Sequence, residues 1–404
     1  MSTSTTPDRN KPSSSVALII LTGLSLLAIN MGVRQSLGLF LPDLAVHLRL
    51  SLSELSLAFA VQNLIWGAVS PVAGLAAERY GTARVLAVGG LIYALGLGLL
   101  AITQDPWLYH MSNGILIGIG TGATTFPLVL AAVSRHVSER KRSFALGIVS
   151  AGGSFGQFIF ALIAQKISAL FGWTAAIWLF ALIALLMIAL SPVLRSRPEH
   201  QQSVQPEPVS LSDHRFVLLA LGFFVCGFHV AFVSVHLPNL VAICGLPANI
   251  ASNSMALIGL INVAGTLLAG WLGGRYHKPY LLSGIYGARA LTIIIFMLMP
   301  KTATSFYLFS VLMGMLWLST VPLTSGALAQ YFGTEKLASL FGLVMFSHQI
   351  GAFFGAWLGG WFFDLNGNYD LALMISAGLG IFAAVVHLPI RPQQQIPINA
   401  MAKS

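Results

Sequence analysis

Twelve apolar runs, each long enough to cross a bilayer as a helix, follow one another along this chain with almost no charge inside them. A helix rises about 1.5 Å per residue, so about 20 apolar residues cover a hydrocarbon core of roughly 30 Å. Spans are expected near 16–41, 52–76, 84–103, 107–134, 143–168 and 173–194. A second set follows near 216–240, 250–273, 280–299, 304–331, 338–363 and 370–390. Of the 404 residues, 8 % are charged and 56 % hydrophobic, where a soluble domain carries about 25 % charged residues. So little charge cannot cover a water-facing surface, and the bilayer is the solvent and first partner of this chain. In lipid each segment must satisfy its own backbone groups, which makes every run a helix and the fold class all-α integral membrane.

The net charge of +9 would suggest nucleic acid if it were gathered on one soluble surface. It is instead sorted between alternate connections. One side holds Arg9, Lys11, Arg79, Arg84, Arg135, Arg140, Lys141, Arg142, Arg195, Arg197, Arg215, Arg275, Lys278, Lys336, Arg391 and Lys403; the other holds Arg49, Lys166 and Lys301. By the positive-inside rule the first side is cytoplasmic, both termini with it, and no nucleic-acid partner is expected. The polar stretch Met1 to Ser15 ahead of a long apolar run reads as a tail before a first span, not as a cleaved signal peptide. The two cysteines, Cys226 and Cys244, form no disulfide framework or metal spacing.

One long hydrophilic stretch, Arg195 to Arg215 with Gln201-Gln202, Pro206 and Pro208, divides the spans six and six. It reads as a linker between halves. The expected organisation is a tail 1–15, a bundle 16–194, a linker 195–215, a second bundle 216–390 and a tail 391–404. The halves match at a nearly constant offset. Leu41-Pro42-Asp43-Leu44 recurs as Leu237-Pro238-Asn239-Leu240, and Gly74 and Arg79-Tyr80 recur as Gly270 and Arg275-Tyr276, 196 residues on. Pro127-Leu128, Gly147 and Gly156 recur as Pro322-Leu323, Gly342 and Gly351, 195 residues on. An ordered series at one spacing marks an internal repeat, and repeated helical halves with a site between them are the architecture of rocking secondary carriers.

The segment Gly74-Leu75-Ala76-Ala77-Glu78-Arg79-Tyr80-Gly81-Thr82-Ala83-Arg84 resembles the signature between spans 2 and 3 of the major facilitator family. The resemblance implies two pseudo-symmetric six-helix bundles, with Gly74, Glu78, Arg79, Gly81 and Arg84 as a cytoplasmic hinge whose acid contacts a neighbouring helix end. Glu78 stands where that family usually has Asp, and the second-half copy has Gly274 at the acid position. Lys141-Arg142 with Ala145, Gly147, Ala151-Gly152 and Gly156 is similar to the span 4–5 motif of the monocarboxylate transporter family. Ser339, Gly342-Leu343-Val344, Gly351, Gly355 and Phe363-Asp364-Leu365-Asn366-Gly367-Asn368-Tyr369-Asp370 are similar to its span 11 and the following loop. The resemblance is nearest to bacterial members beside the monocarboxylate and oxalate carriers. It implies a multi-pass protein of the bacterial cell inner membrane, and a monomer. The acidic-Gly-aromatic motif that opens span 1 in animal members is absent, and Thr266 falls near the place of their span 8 Arg.

An ionisable group in the bilayer core is costly, about 2.5–3.5 kcal/mol for Arg on insertion scales. Two full charges lie deep in spans, Arg34 on span 1 and Arg289 on span 9, while all twelve carboxylates fall in loops or near span ends. A cavity with unpaired Arg suits an anion, because a carboxylate takes a charge-assisted pair from guanidinium. Asn30, one turn before Arg34, shares its helix face. The resemblance aligns Arg34 with a basic residue that contacts the substrate carboxylate. Arg289 is open between substrate or gating contact and bracing on carbonyls of span 8 or 10. His229 lies within one position of the repeat equivalent of Arg34, and His348 sits beside Gln349 on span 11. Either histidine is a candidate for the coupled proton or a ligand oxygen.

The substrate candidates are therefore Arg34, Asn30, Arg289, His348, Gln349 and His229. Gln62, Asn63, Trp66, Thr124, Thr125, Ser154, Gln157, Thr320 and Thr324 could line a polar cavity. No phosphate loop, metal-protease or nucleophile-elbow motif occurs, so no enzyme activity and no cofactor are expected. The expectation is a secondary carrier of a small organic anion, a monocarboxylate, by proton coupling or anion exchange. The alternative is a proton-driven exporter of a larger amphiphile such as a siderophore, drug or vitamin-like compound.

Overall fold

The structure, a computed structural model, describes residues 16–195, 213–333 and 337–391, and of 139–144 and 337–339 the helical path alone. The expected tail 1–15, all of the expected tail 391–404 but its first residue, most of the linker (196–212) and Lys336 lie outside the described residues. Lys141 and Arg142 lie where only the helical path is described.

Twelve helices long and apolar enough to cross a membrane run as span 1 Val16–Leu48, span 2 Leu52–Tyr80, span 3 Thr82–Ala101, span 4 Pro106–Ser134, span 5 Ala145–Phe171 and span 6 Trp173–Leu194. The second six are span 7 His214–Ile243, span 8 Ala248–Gly273, span 9 Lys278–Leu298, span 10 Ala303–Phe332, span 11 Leu340–Asn366 and span 12 Asp370–His387. The fold is all-α, with no strand among the described residues. Span 1 outruns its apolar stretch: beyond a tight turn at Leu37–Phe40 it continues as Leu41–Leu48. Pro42 sits in the first turn of that continuation, where its missing N–H costs nothing. Spans 2 and 3 are joined by Gly81 alone, at φ 88°, a conformation that a Cβ would oppose.

The sequence repeat reappears in the packing. Span 1 lies on span 5 as span 7 lies on span 11; spans 2 and 4 pair as 8 and 10 do, and spans 3 and 6 as 9 and 12 do. Glycine permits the tightest of these. A Cβ at Gly156 would strike the Ala28 backbone of span 1, and one at its repeat mate Gly351 would strike Phe224 of span 7. In lipid, such backbone approach replaces the hydrophobic drive that water would supply.

The halves meet mainly through two equivalent pairs, span 2 with span 11 and span 5 with span 8, over part of their length, and span 7 also touches the turn and continuation of span 1. Gly67 of span 2 meets Gln349 of span 11, and Gly259 of span 8 meets Ser154, Gln157 and Phe158 of span 5. Whole turns further toward the face carrying the chain ends, the same helix faces present Gly74, Gly342, Gly147 and Gly270. At each of these no atom lies within 4 Å of where a Cβ would stand. Seven residues are two turns, about 10 Å. The halves therefore touch at mid-depth and at the far face and part toward the face of the chain ends. That face carries Arg79, Arg84, Arg135, Arg195, Arg215, Arg275, Lys278 and Arg391; the far face carries Arg49, Lys166 and Lys301. At its edge Asp213 caps span 7, accepting from the Arg215 N–H at 2.8 Å. The Arg215 side-chain hydrogen bond holds that carboxyl below its usual range.

Candidate functional site

Two helices are broken near mid-depth, at matched points. Span 4 runs as Ile117–Thr124, turns extended at Thr125, and restarts as Phe126–Ser134 with Pro127 in its first turn. Span 10 runs as Ala303–Leu316 and restarts as Thr320–Phe332, with Pro322 in the restarted first turn. A break frees backbone groups that lipid cannot satisfy, so neighbouring side chains must.

They do so with residues the sequence had marked. Asn30, fully buried, donates its amide to the Thr121 carbonyl at 3.2 Å and to Thr124 Oγ1, and Tyr93 Oη donates to the Asn30 carbonyl at 3.1 Å. In the second half Arg289, 0 % exposed, donates Nε and Nη2 to the Leu316 carbonyl at 3.1 and 2.6 Å and Nη2 also to the Trp317 carbonyl. Those carbonyls end a half-helix, whose partial negative charge suits a guanidinium. Arg289 Nη2 also lies 3.7 Å from Cys226 Sγ. The freed Leu318 N–H donates to Asn262 Oδ1 at 2.9 Å, and Asn262 Nδ2 reaches across the halves to Ser154 Oγ at 2.7 Å. Asn262 had escaped the sequence reading. Its signal was a lone amide midway along an apolar span.

Arg34 is placed differently. It is part-buried, donates Nη2 to Asn63 Oδ1, and lays its guanidinium over the Trp66 ring, 4.6 Å from the centroid. Its Nε is buried without a partner, and no ion pair among the described residues includes it. Asn63 is fixed by its own bond to the Phe59 carbonyl at 2.8 Å. One turn along the same face of span 2, Gly67 receives the stem of Gln349 from the opposite half. Gln349 is buried, with Oε1 unpartnered. Arg34 and Gln349 thus flank one turn of span 2 between the halves.

The histidines do not join them. His229 Nε2 is bonded to the Ser376 carbonyl of span 12 at 2.8 Å, and His348 packs on Phe223 with ring centroids 5.0 Å apart. Both lie inside the second bundle, each with a buried Nδ1 left unpartnered. On the basic face Glu78, Arg79 and Arg84 are exposed. Arg79 rests over its neighbour Tyr80, 5.4 Å from the centroid, and Glu78 has no ion pair among the described residues.

The Major Facilitator Superfamily model matches residues 23–325 and again 219–403. The chain belongs to that superfamily. Monocarboxylate transporter 13 of Bos taurus is 25 % identical over 386 residues, covering 92 % of this chain and 89 % of the relative. The MFS-type transporter YcxA of Bacillus subtilis is 23 % identical over 385 residues, covering 90 % of this chain and 92 % of the relative. This is a major facilitator transporter resembling the monocarboxylate family. Its fold is shared with a bacterial homolog of the human lysosomal transporter Spinster in an inward-facing, occupied conformation. That likeness has a TM-score of 0.76 at 15 % identity, over 94 % of this chain and 97 % of that one.

Proposed function

We propose that the transporter carries a small monocarboxylate across a bacterial inner membrane, with the basic face and both termini cytoplasmic, by proton coupling or anion exchange. One observation carries the reading: Arg34 is a deep, part-accessible guanidinium with no carboxylate paired to it among the described residues. Asn63 and Trp66 hold it in place and satisfy one nitrogen and one face, leaving donors for a carboxylate arriving from the open side. An acid bound there would complete a charge-assisted pair that the described residues do not supply. The relatives named monocarboxylate transporters support the class of substrate. With the basic face inside, the arrangement of the halves is inward-facing, and rocking about the waist formed by spans 2, 5, 8 and 11 would alternate access. His348 and His229, buried in the second half, are the titratable candidates for a coupled proton.

The test is uptake of labelled carboxylates into liposomes under an imposed pH gradient, with Arg34→Gln alongside. Uptake of one acid, lost in a variant that still melts normally, supports the reading. No uptake of any acid by folded protein moves the assignment to an exporter of amphiphiles.

A further inference from the structure

Between mid-depth and the far face the halves are joined mostly by neutral contacts, such as Ser234 Oγ donating to Gln35 Oε1 at 2.7 Å between spans 7 and 1. Among the described residues one charged group crosses. Asp364, near the far end of span 11, accepts the Leu52 N–H on Oδ1 at 3.1 Å and the Ser53 N–H on Oδ2 at 2.8 Å. These residues begin span 2, in the opposite half.

The first turn of a helix leaves its N–H groups without intrahelical partners. Span 2 supplies part of its own cap: Ser51 Oγ accepts from Glu54 N at 3.3 Å, and Glu54 Oε2 accepts from Ser51 N at 2.9 Å. That reciprocal box leaves the N–H groups of Leu52 and Ser53, and those are the two that Asp364 takes. A carboxylate also suits the positive end of the helix dipole. One turn earlier on span 11, Gly360 is pressed on Leu52 and Ser56 so closely that no side chain fits. The cap of one half is therefore finished by the other, at a point where the two halves approach closely.

We propose that Asp364 is a gating residue of the transport cycle: it closes the outer face by completing the cap of span 2, and must release it before that face opens. A cap within one bundle could persist through rocking; one shared between bundles is made and broken each cycle. The proposal rests on the carrier reading for its purpose but not for its test, which needs no substrate.

The transporter is reconstituted in liposomes with spin labels on Val46→Cys of span 1 and Ile243→Cys of span 7, both exposed at the far face. Cys244 is replaced by Ser, and the buried Cys226 is kept. Asp364→Ala is expected to raise the population with widely separated labels about tenfold, while Asp364→Glu stays near the parent distribution. Because Asp364 is exposed, the melting temperature should hold in both. An unchanged distribution in Asp364→Ala, or equal effects of Ala and Glu, overturns the latch. Absence of acid uptake alongside the expected shift would overturn the substrate assignment and leave the latch standing.

Discussion

Arg34 and Arg289 are the same residue type at similar depth, and they sit in different surroundings. Arg289 gives Nε and Nη2 to two backbone carbonyls and keeps a buried Nη1 unpartnered, while Arg34 gives Nη2 to one amide and lays one face on an aromatic ring. Hydrogen bonds from charged groups contribute about 1.5–3 kcal/mol each. Arg289→Met should therefore lower the melting temperature by several degrees or more, and a substrate role would instead raise KM with melting unchanged. For Arg34 the expectation is reversed. Arg34→Lys keeps the charge but loses the flat face on Trp66 and the planar fork, so KM for an acid should rise about tenfold while the melt stays put. Both arginines were legible in the sequence as the two deep charges. What separates them was not, because the partners of Arg289 are carbonyls freed by a helix break, and no side-chain pattern announces a carbonyl. Asn30 shares that blind spot. Its spacing from Arg34 suggested a shared ligand, whereas its amide nitrogen donates to Thr121 and Thr124 and its Oδ1 stays buried without a partner.

The helices themselves were written plainly, since each apolar run had to be one and the offset between halves foretold which would pack alike. Edges were less plain: the first span was expected to end near residue 41, yet the helix continues to Leu48. The repeat also marked Gly74 with Gly270 and Gly147 with Gly342 but could not say what they do. In this arrangement each faces open space, while Gly67 and Gly259 on the same faces meet the opposite half. Closing the basic face would bring span 2 against span 11 and span 5 against span 8 along these glycines. Gly342→Leu should then fold as well as the parent or slightly better, since Gly in a helix costs about 1 kcal/mol relative to good helix formers. It should nonetheless lose most of its transport. Retained acid binding with turnover down tenfold or more, at an unchanged melt, is the expected result; normal turnover would mean that those faces never meet.

For the whole molecule, the proposed alternating access is one equilibrium with a closure at each end, and in this arrangement the halves touch at the far face and part at the basic face. The closed end holds the charged cap of Asp364 on span 2. At the open end Glu78 is exposed without an ion pair among the described residues, where the family hinge would give it a neighbouring helix end. Each closure therefore favours one state by the contacts it makes only there, and removing either should tilt the balance the opposite way. Glu78→Gln should narrow the far-face label distribution toward the closed form and slow transport, without changing the melt. Asp364→Ala should widen it. The two sites lie at opposite ends of the bundle and share no partner, so their effects should add. The double variant, measured with the same labels at positions 46 and 243, should return to near the parent distribution while still transporting slowly, because the route between states has lost both of its stops. If the double variant instead matched Asp364→Ala alone, Glu78 would have no part in closing the basic face, and the open end would be held by the glycine faces without it.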